Sequence, residues 1–170
     1  MTSAELLADA FGRVREVVHH VVDGLTDDQL ARRVDRDANT IAWLVWHLTR
    51  IQDDHVATVA GNEQAWTARG WAQRCGLPFD THATGYGHSR DEVGRVRLPA
   101  EMLVGYYDDV HAATLRFVAG ITDADLDRVV DRAWDPPVTL GVRLVSVVSD
   151  NLQHAGQAAF VRGMIERAAR

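Results

Sequence analysis

Apolar residues recur at three- and four-residue steps over four stretches of the chain, and each stretch predicts an amphipathic helix. Leu7, Ala10, Val14, Val17, Val18, Val21 and Leu25 form the first stripe, behind the capping-box sequence Thr2-Ser3-Ala4-Glu5. Gly24 suits its stop. Thr26-Asp27-Asp28-Gln29 is a second capping box and opens a short helix. A second long helix starts near Asn39 or Thr40, runs through Ile41-Ala42-Trp43-Leu44-Val45-Trp46-His47-Leu48, and ends at Gly61-Asn62. Pro99 suits the first turn of a third, whose stripe is Met102, Leu103, Tyr106, Val110, Ala113, Phe117 and Val118 before Gly120. The fourth follows the rigid turn Asp135-Pro136-Pro137 and starts near Thr139 or Leu140. The four long helices are expected at roughly 3–23, 40–60, 99–119 and 139–168, with ends uncertain by about two to four residues.

Residues 62–98 lack any sustained period and are rich in Gly, Thr, His and Arg. A connection of that length is functional or hides short elements. The chain also echoes itself. Gly24-Leu25-Thr26-Asp27-Asp28-Gln29-Leu30 parallels Gly120-Ile121-Thr122-Asp123-Ala124-Asp125-Leu126, each copy lying between two long helices. Similar linkers converging on similar caps explain the echo as well as two helical hairpins related by a pseudo-twofold do. Both readings give one all-α four-helix bundle over 1–170 with a long crossover between helices two and three. No strand pattern competes.

Composition narrows the function. At 170 residues, with 46% apolar and 25% charged residues, the chain is of one-domain size and can bury a core without disulfides or a structural metal. A net charge of −6 argues against a nucleic-acid groove. All the basic residues are Arg, and Lys is absent. The single cysteine, Cys75, excludes an internal disulfide and a Cys-based zinc site, and it reads as incidental rather than catalytic. No signal-peptide pattern opens the chain and no run is long enough for a membrane helix, so a cytoplasmic protein without a membrane partner is expected.

The chemistry concentrates near the C-terminus, in Asp150-Asn151-Leu152-Gln153-His154-Ala155-Gly156-Gln157. Asp150 and His154, four apart, stack on one helix face and offer a carboxylate and an imidazole to one ion. His47 is the candidate third ligand, since the bundle pairs the second helix with the fourth. Trp43, His47 and Asp54 share one face there, while His55 turns away by roughly 80°. Gln157 and Arg143 lie on the face of Asp150 and His154. Each part has a plainer reading: His47 as a satisfied core histidine, and Asp150 with His154 as a surface pair. Buried charges so gathered nonetheless call for pairing or a metal. Two imidazoles and one carboxylate suit Zn²⁺, Ni²⁺ or Fe²⁺. Among weaker candidates, Arg143 offers a carboxylate fork, or a structural salt bridge. Gln157 offers a hydrogen bond that orients a ligand, or a packing contact. Asp54, Tyr86 and His88 would line the pocket or be solvated. The Gly-flanked loop around Tyr86 is a candidate lid, and Trp43, Trp46, Trp66 and Trp71 read as core or dimer contacts.

The run ending in His47, followed by Asp150-x-x-x-His154-Ala155-Gly156-Gln157, resembles the DinB-like superfamily, particularly its mycothiol-transferase branch. The resemblance spans nearly the whole chain. The commoner family form has His where Asp150 stands; an acidic residue there is similar to the mycothiol-dependent maleylpyruvate isomerases, which use Glu, one methylene longer. The resemblance implies a DinB-like bundle, a metal held by His47, Asp150 and His154, and a thiol cosubstrate such as mycothiol or bacillithiol attacking an electrophilic small molecule. It also implies a possible homodimer. A metal-dependent hydrolase and a non-catalytic metal-binding or interaction protein stay open as alternatives, and no individual catalytic residue is identified.

Overall fold

The computed structural model describes residues 1–168. Four long helices form the body: α1 (Ser3–Val22), α3 (Ile41–Ala60), α7 (Ala100–Val118) and α8 (Leu140–Ala168). Between them lie four short ones: α2 (Asp27–Leu30), α4 (Ala65–Ala68), α5 (Trp71–Cys75) and α6 (Arg90–Val93). The fold is all-α apart from one small hairpin. Side chains cap the helices where the sequence predicts it. Thr2 and Glu5 close a reciprocal box at α1, and Thr26 and Gln29 do so at α2. Thr40 accepts from the Trp43 amide to start α3, and Gly61 ends it in the left-handed region. Pro99 sits at the cap position of α7, one residue earlier than a first-turn placement. The echo of Thr26 at Thr122 forms the same box with Asp125 but opens a 3₁₀ turn over Asp123–Asp127.

The packing order of the helices differs from a pair of side-by-side hairpins. α3 packs against α8 and α7, and α1 packs against the same two, while α1 and α3 barely touch. α1 thus lies diagonally opposite α3, and α7 diagonally opposite α8. The reason lies in α3, which is buried without a break from Ile41 to Arg50 and needs cover on every side. α3 and α8 run antiparallel. The Asn151 amide donates to Gln52 Oε1 at 2.6 Å, Gln52 donates to Thr114 Oγ1 at 2.8 Å, and Val56 clusters with Leu140 and Leu144. That buried polar chain ties α8, α3 and α7 together at one level, beside Asp150.

Two strands, β1 (Val129–Asp131) and β2 (Val138–Thr139), pair antiparallel ahead of α8. No strand pattern was strong enough to compete with the helices, because segments this short show no period-two alternation, and short extended pieces here are compatible with the bundle. The crossover 62–98 contains α4, α5 and α6 and threads its aromatic residues into the main core, where Trp66, Trp71, Val93, Val96 and Leu98 are buried. Among the described residues, no helix is long and apolar enough to cross a membrane.

Candidate metal centre

His47 sits in the middle of α3, 5% exposed, with its ring stacked under Trp43 at 4.6 Å. Asp150 and His154 sit one turn apart on α8, and the two imidazoles meet edge to face at 4.7 Å. One ligand atom from each of the three side chains lies within 4.8 Å of the others, and no other such group of His, Cys, Asp or Glu occurs among the described residues. Backbone carbonyls orient both rings. His47 Nδ1 lies 2.6 Å from the Thr84 carbonyl, and His154 Nδ1 lies 2.9 Å from the Asp150 carbonyl. With the Nδ1 proton donated in each case, the Nε2 lone pair is left free on each ring, an arrangement common among metal-binding histidines.

The set fits a divalent cation on a further count. Asp150 Oδ2 is buried without a hydrogen-bond partner. It lies 3.3 Å from His154 Nδ1, but that proton points at the backbone carbonyl instead. An unpartnered carboxylate oxygen grouped with two imidazoles is a donor set of the kind that suits a divalent cation. Ligand atoms around one tetrahedral zinc stand about 3.4 Å apart, from bond lengths of about 2.1 Å, so the three side chains need to draw in by about an ångström.

The two imidazoles differ electrostatically. Burial pushes the pKa of His47 down, and the nearby His154 adds to the effect against the pull of the Thr84 carbonyl. Burial also acts to lower His154, but the neighbouring Asp150 carboxylate and the bond to its backbone carbonyl outweigh it and leave the pKa raised.

The other sequence-derived residues divide between the site's margin and the surface. Arg143 donates to Asp131 on β1 at 2.8 Å, and its Nη1 lies 3.3 Å from His55 Nδ1. His55, expected to turn away, therefore joins α8 through Arg143; burial lowers its pKa first and the guanidinium second. Asp54 accepts from Gln64 at 2.7 Å, toward the crossover rather than the three-residue set. His88 accepts from Trp43 Nε1 at 3.3 Å and lies over the Trp46 ring, next to the centre but outside it. Tyr86 is 91% exposed. Gln157 is exposed and lines an open groove of about 470 Å³ with Leu44, Phe160 and Val161. Cys75 is half-buried, and burial pushes its thiol up to about 11, far from a thiolate at neutral pH.

Sequence reasoning passed over two features. One is the backbone at Thr84-Gly85, which lies directly on the site. At Gly85 φ is +92°, and an added Cβ would stand 2.9 Å from His47 Nδ1 and 3.0 Å from the Trp46 ring, so only glycine fits there. The glycine spacing marked this loop as special, but it gave no sign that the loop packs inward. The other is Arg50, Asp53 and Tyr106, a buried polar group beneath the same loop. Nothing local in the polar stretch Thr49-Arg50-Ile51-Gln52-Asp53-Asp54-His55 marked Arg50 and Asp53 as buried.

The sequence model of a family described as mycothiol-S-transferase matches residues 6–167. Among solved structures, a conserved protein from Enterococcus faecalis is similar at 25% identity with a TM-score of 0.91, over 97% of this chain and 98% of that one. No curated protein matches the chain.

Proposed function

The chain belongs to the mycothiol-S-transferase family, and from that premise we propose that it is a metal-dependent transferase joining a mycothiol-type thiol to an electrophilic small molecule. His47, Asp150 and His154 are the proposed ligands. The observation that carries the reading is the orphaned Asp150 oxygen beside two imidazoles whose Nδ1 atoms are both engaged by backbone carbonyls. A divalent cation of the Zn²⁺, Ni²⁺ or Fe²⁺ type, when bound, lowers the pKa of a thiol and so supplies the nucleophilic thiolate at neutral pH. The chain's own part is to hold and orient. Trp43 and His88 wall the site on the crossover side, and the buried position of His47 keeps bulk water from that flank. Cys75 plays no nucleophilic part. The sulfur of the cosubstrate forms the new bond to carbon, its proton passes to solvent, and the displaced group departs with its electron pair. We assign this activity to the cytoplasm, where low-molecular-weight thiols are kept reduced.

Association of two copies belongs to the same reading. Every exposed position of α8 from Val142 to Met164 is uncharged, although a quarter of the chain is charged. Val145 and Phe160 stand 64% and 65% exposed there. Gly156, in the middle of the helix, has nothing within 4 Å of where its Cβ would be, so packing within one copy does not require a glycine. A stripe about 33 Å long is enough for the core of a standard interface of about 800 Å² per partner.

The test is metal analysis of untagged protein, followed by thiol conjugation of an electrophile panel, with His47→Ala and His154→Ala alongside. Stoichiometric metal lost in His154→Ala, with turnover that needs both metal and mycothiol, is the expected result. Equal turnover without thiol would identify a hydrolase, tight metal without turnover would identify a binding protein, and full metal in every ligand variant would overturn the assignment.

A further inference from the structure

The carbonyl that orients His47 belongs to a segment without regular structure, so something else must hold that segment in place. Arg50 lies directly beneath it, on α3, and is fully buried. Its Nε donates to the Ala83 carbonyl at 3.1 Å, and its Nη1 donates to Gln64 Oε1 at 2.7 Å and to Tyr106 Oη at 3.2 Å. Asp53, one turn on, has Oδ2 at 3.8 Å from Arg50. Asp53 accepts from the Ala65 and Trp66 amides and from Tyr106 Oη at 2.8–2.9 Å. One buried ion pair therefore grips the crossover at two places, near its start at 64–66 and midway at 83.

Ala83 and Thr84 are consecutive, and so are their carbonyls. Arg50 takes the first and His47 takes the second. These two side chains are three residues apart on α3 and stack on one helix face. A buried ion pair is a poor source of stability, because desolvation offsets most of the attraction and apolar residues of the same size do as well. Fixing position is the role left to it here. The glycine that follows adds a constraint. Gly85 lies against both His47 and Trp46, so a shift of the 83–85 backbone toward α3 is blocked, and Arg50 prevents a shift away.

We infer that Arg50 is a positioning residue for the candidate metal centre, anchoring Ala83 so that the Thr84 carbonyl holds His47 in the tautomer that presents Nε2. This rests on the metal reading above for its functional meaning, but the tautomer itself exists without metal.

Arg50→Lys tests it. Lysine keeps the charge opposite Asp53 but cannot reach Ala83, Gln64 and Tyr106 together as a guanidinium does. Long-range proton–nitrogen NMR of the metal-free protein, with the His47 signals assigned through His47→Gln, reads the tautomer directly. The wild type should show His47 protonated at Nδ1, and Arg50→Lys should show a mixture of tautomers. Zn²⁺ affinity, measured by competition with a chelating dye, should fall by about 10–100-fold, the range typical of lost outer-shell partners. Val18→Ala, a cavity in the α1 core, is the control for general destabilisation and should leave both readouts unchanged. If Arg50→Lys does not fold, Tyr106→Phe replaces it, since it removes one partner of Arg50 while keeping the ring; a smaller change in the same direction is expected. A folded Arg50→Lys, or Tyr106→Phe in its place, with wild-type tautomer and Zn²⁺ affinity within twofold would overturn the inference. A wild type that shows the Nδ1 tautomer but binds no Zn²⁺ would overturn the metal reading instead, and the tautomer of Arg50→Lys would still decide the role of Arg50.

Discussion

Asp150→Asn keeps the side chain's size and removes its charge, and its effect should change sign with metal. In the metal-free protein, Asp150 Oδ2 is buried without a partner. An unsatisfied buried acceptor costs about 1–3 kcal/mol. The side chain as a whole is still 33% exposed, which argues for the lower end, about 1 kcal/mol. Attraction to His154 offsets that cost only while the imidazole is protonated. The folded pKa of His154 is raised, since the nearby Asp150 carboxylate and the bond to its carbonyl overcome the opposing effect of burial. The pair therefore stabilises fully below the unfolded value of 6.5, and that stability is lost as pH rises through the folded value. Once pH exceeds the folded value and the imidazole is neutral, the amide, cheaper to desolvate than a carboxylate, should leave metal-free protein equally stable or more stable by about 1 kcal/mol, worth about 2–4 °C in Tm. Metal reverses the order. At a hundredfold excess over Kd, linkage adds about 2.7 kcal/mol to the wild type, while the variant has lost its anionic ligand and should shift little. Thermal melts of both proteins at pH 8.5, with and without Zn²⁺, read all four states. Equal metal-induced shifts would remove Asp150 from the ligand set. A metal-free variant destabilised by more than about 1 kcal/mol would make the carboxylate a structural partner of the fold.

Two further outcomes are expected. Burial lowers the pKa of His47, His55, His88 and His111, so the stability tied to their neutral forms is present above 6.5 and lost as pH falls through the folded values; His154 runs the other way. The urea midpoint of metal-free protein should therefore fall between pH 7.5 and pH 5, and a flat or rising midpoint would contradict these burials. Phe160→Glu places charge in the uncharged face of α8 and should convert a dimer to a monomer in sedimentation at tens of micromolar with metal content unchanged; a wild type already monomeric there would end the proposed association.

The long helices were legible because each carries its own signal. An apolar stripe, a capping residue and a terminating glycine act within a few turns, and the observed ends of α1, α3, α7 and α8 fall within about two residues of those expected. The pairing of Asp150 with His154 is equally local, being one turn of one helix. What brings His47 to them is not local. It depends on α3 lying beside α8, and the diagonal placement of α1 against α3 shows how little of the packing order a stripe pattern specifies. The crossover was the hardest part to read, for a related reason. Its short helices are too brief to show a period, and its backbone is held by side chains from elsewhere. Arg50 and Asp53 drew no notice in the sequence because they lie past the apolar run 41–48, yet each satisfies backbone groups up to thirty-three residues away. Periodicity reports what a segment does for itself. A buried charge in a core helix is the mark of a segment that also holds something distant, and for Arg50 that distant backbone is the one next to His47.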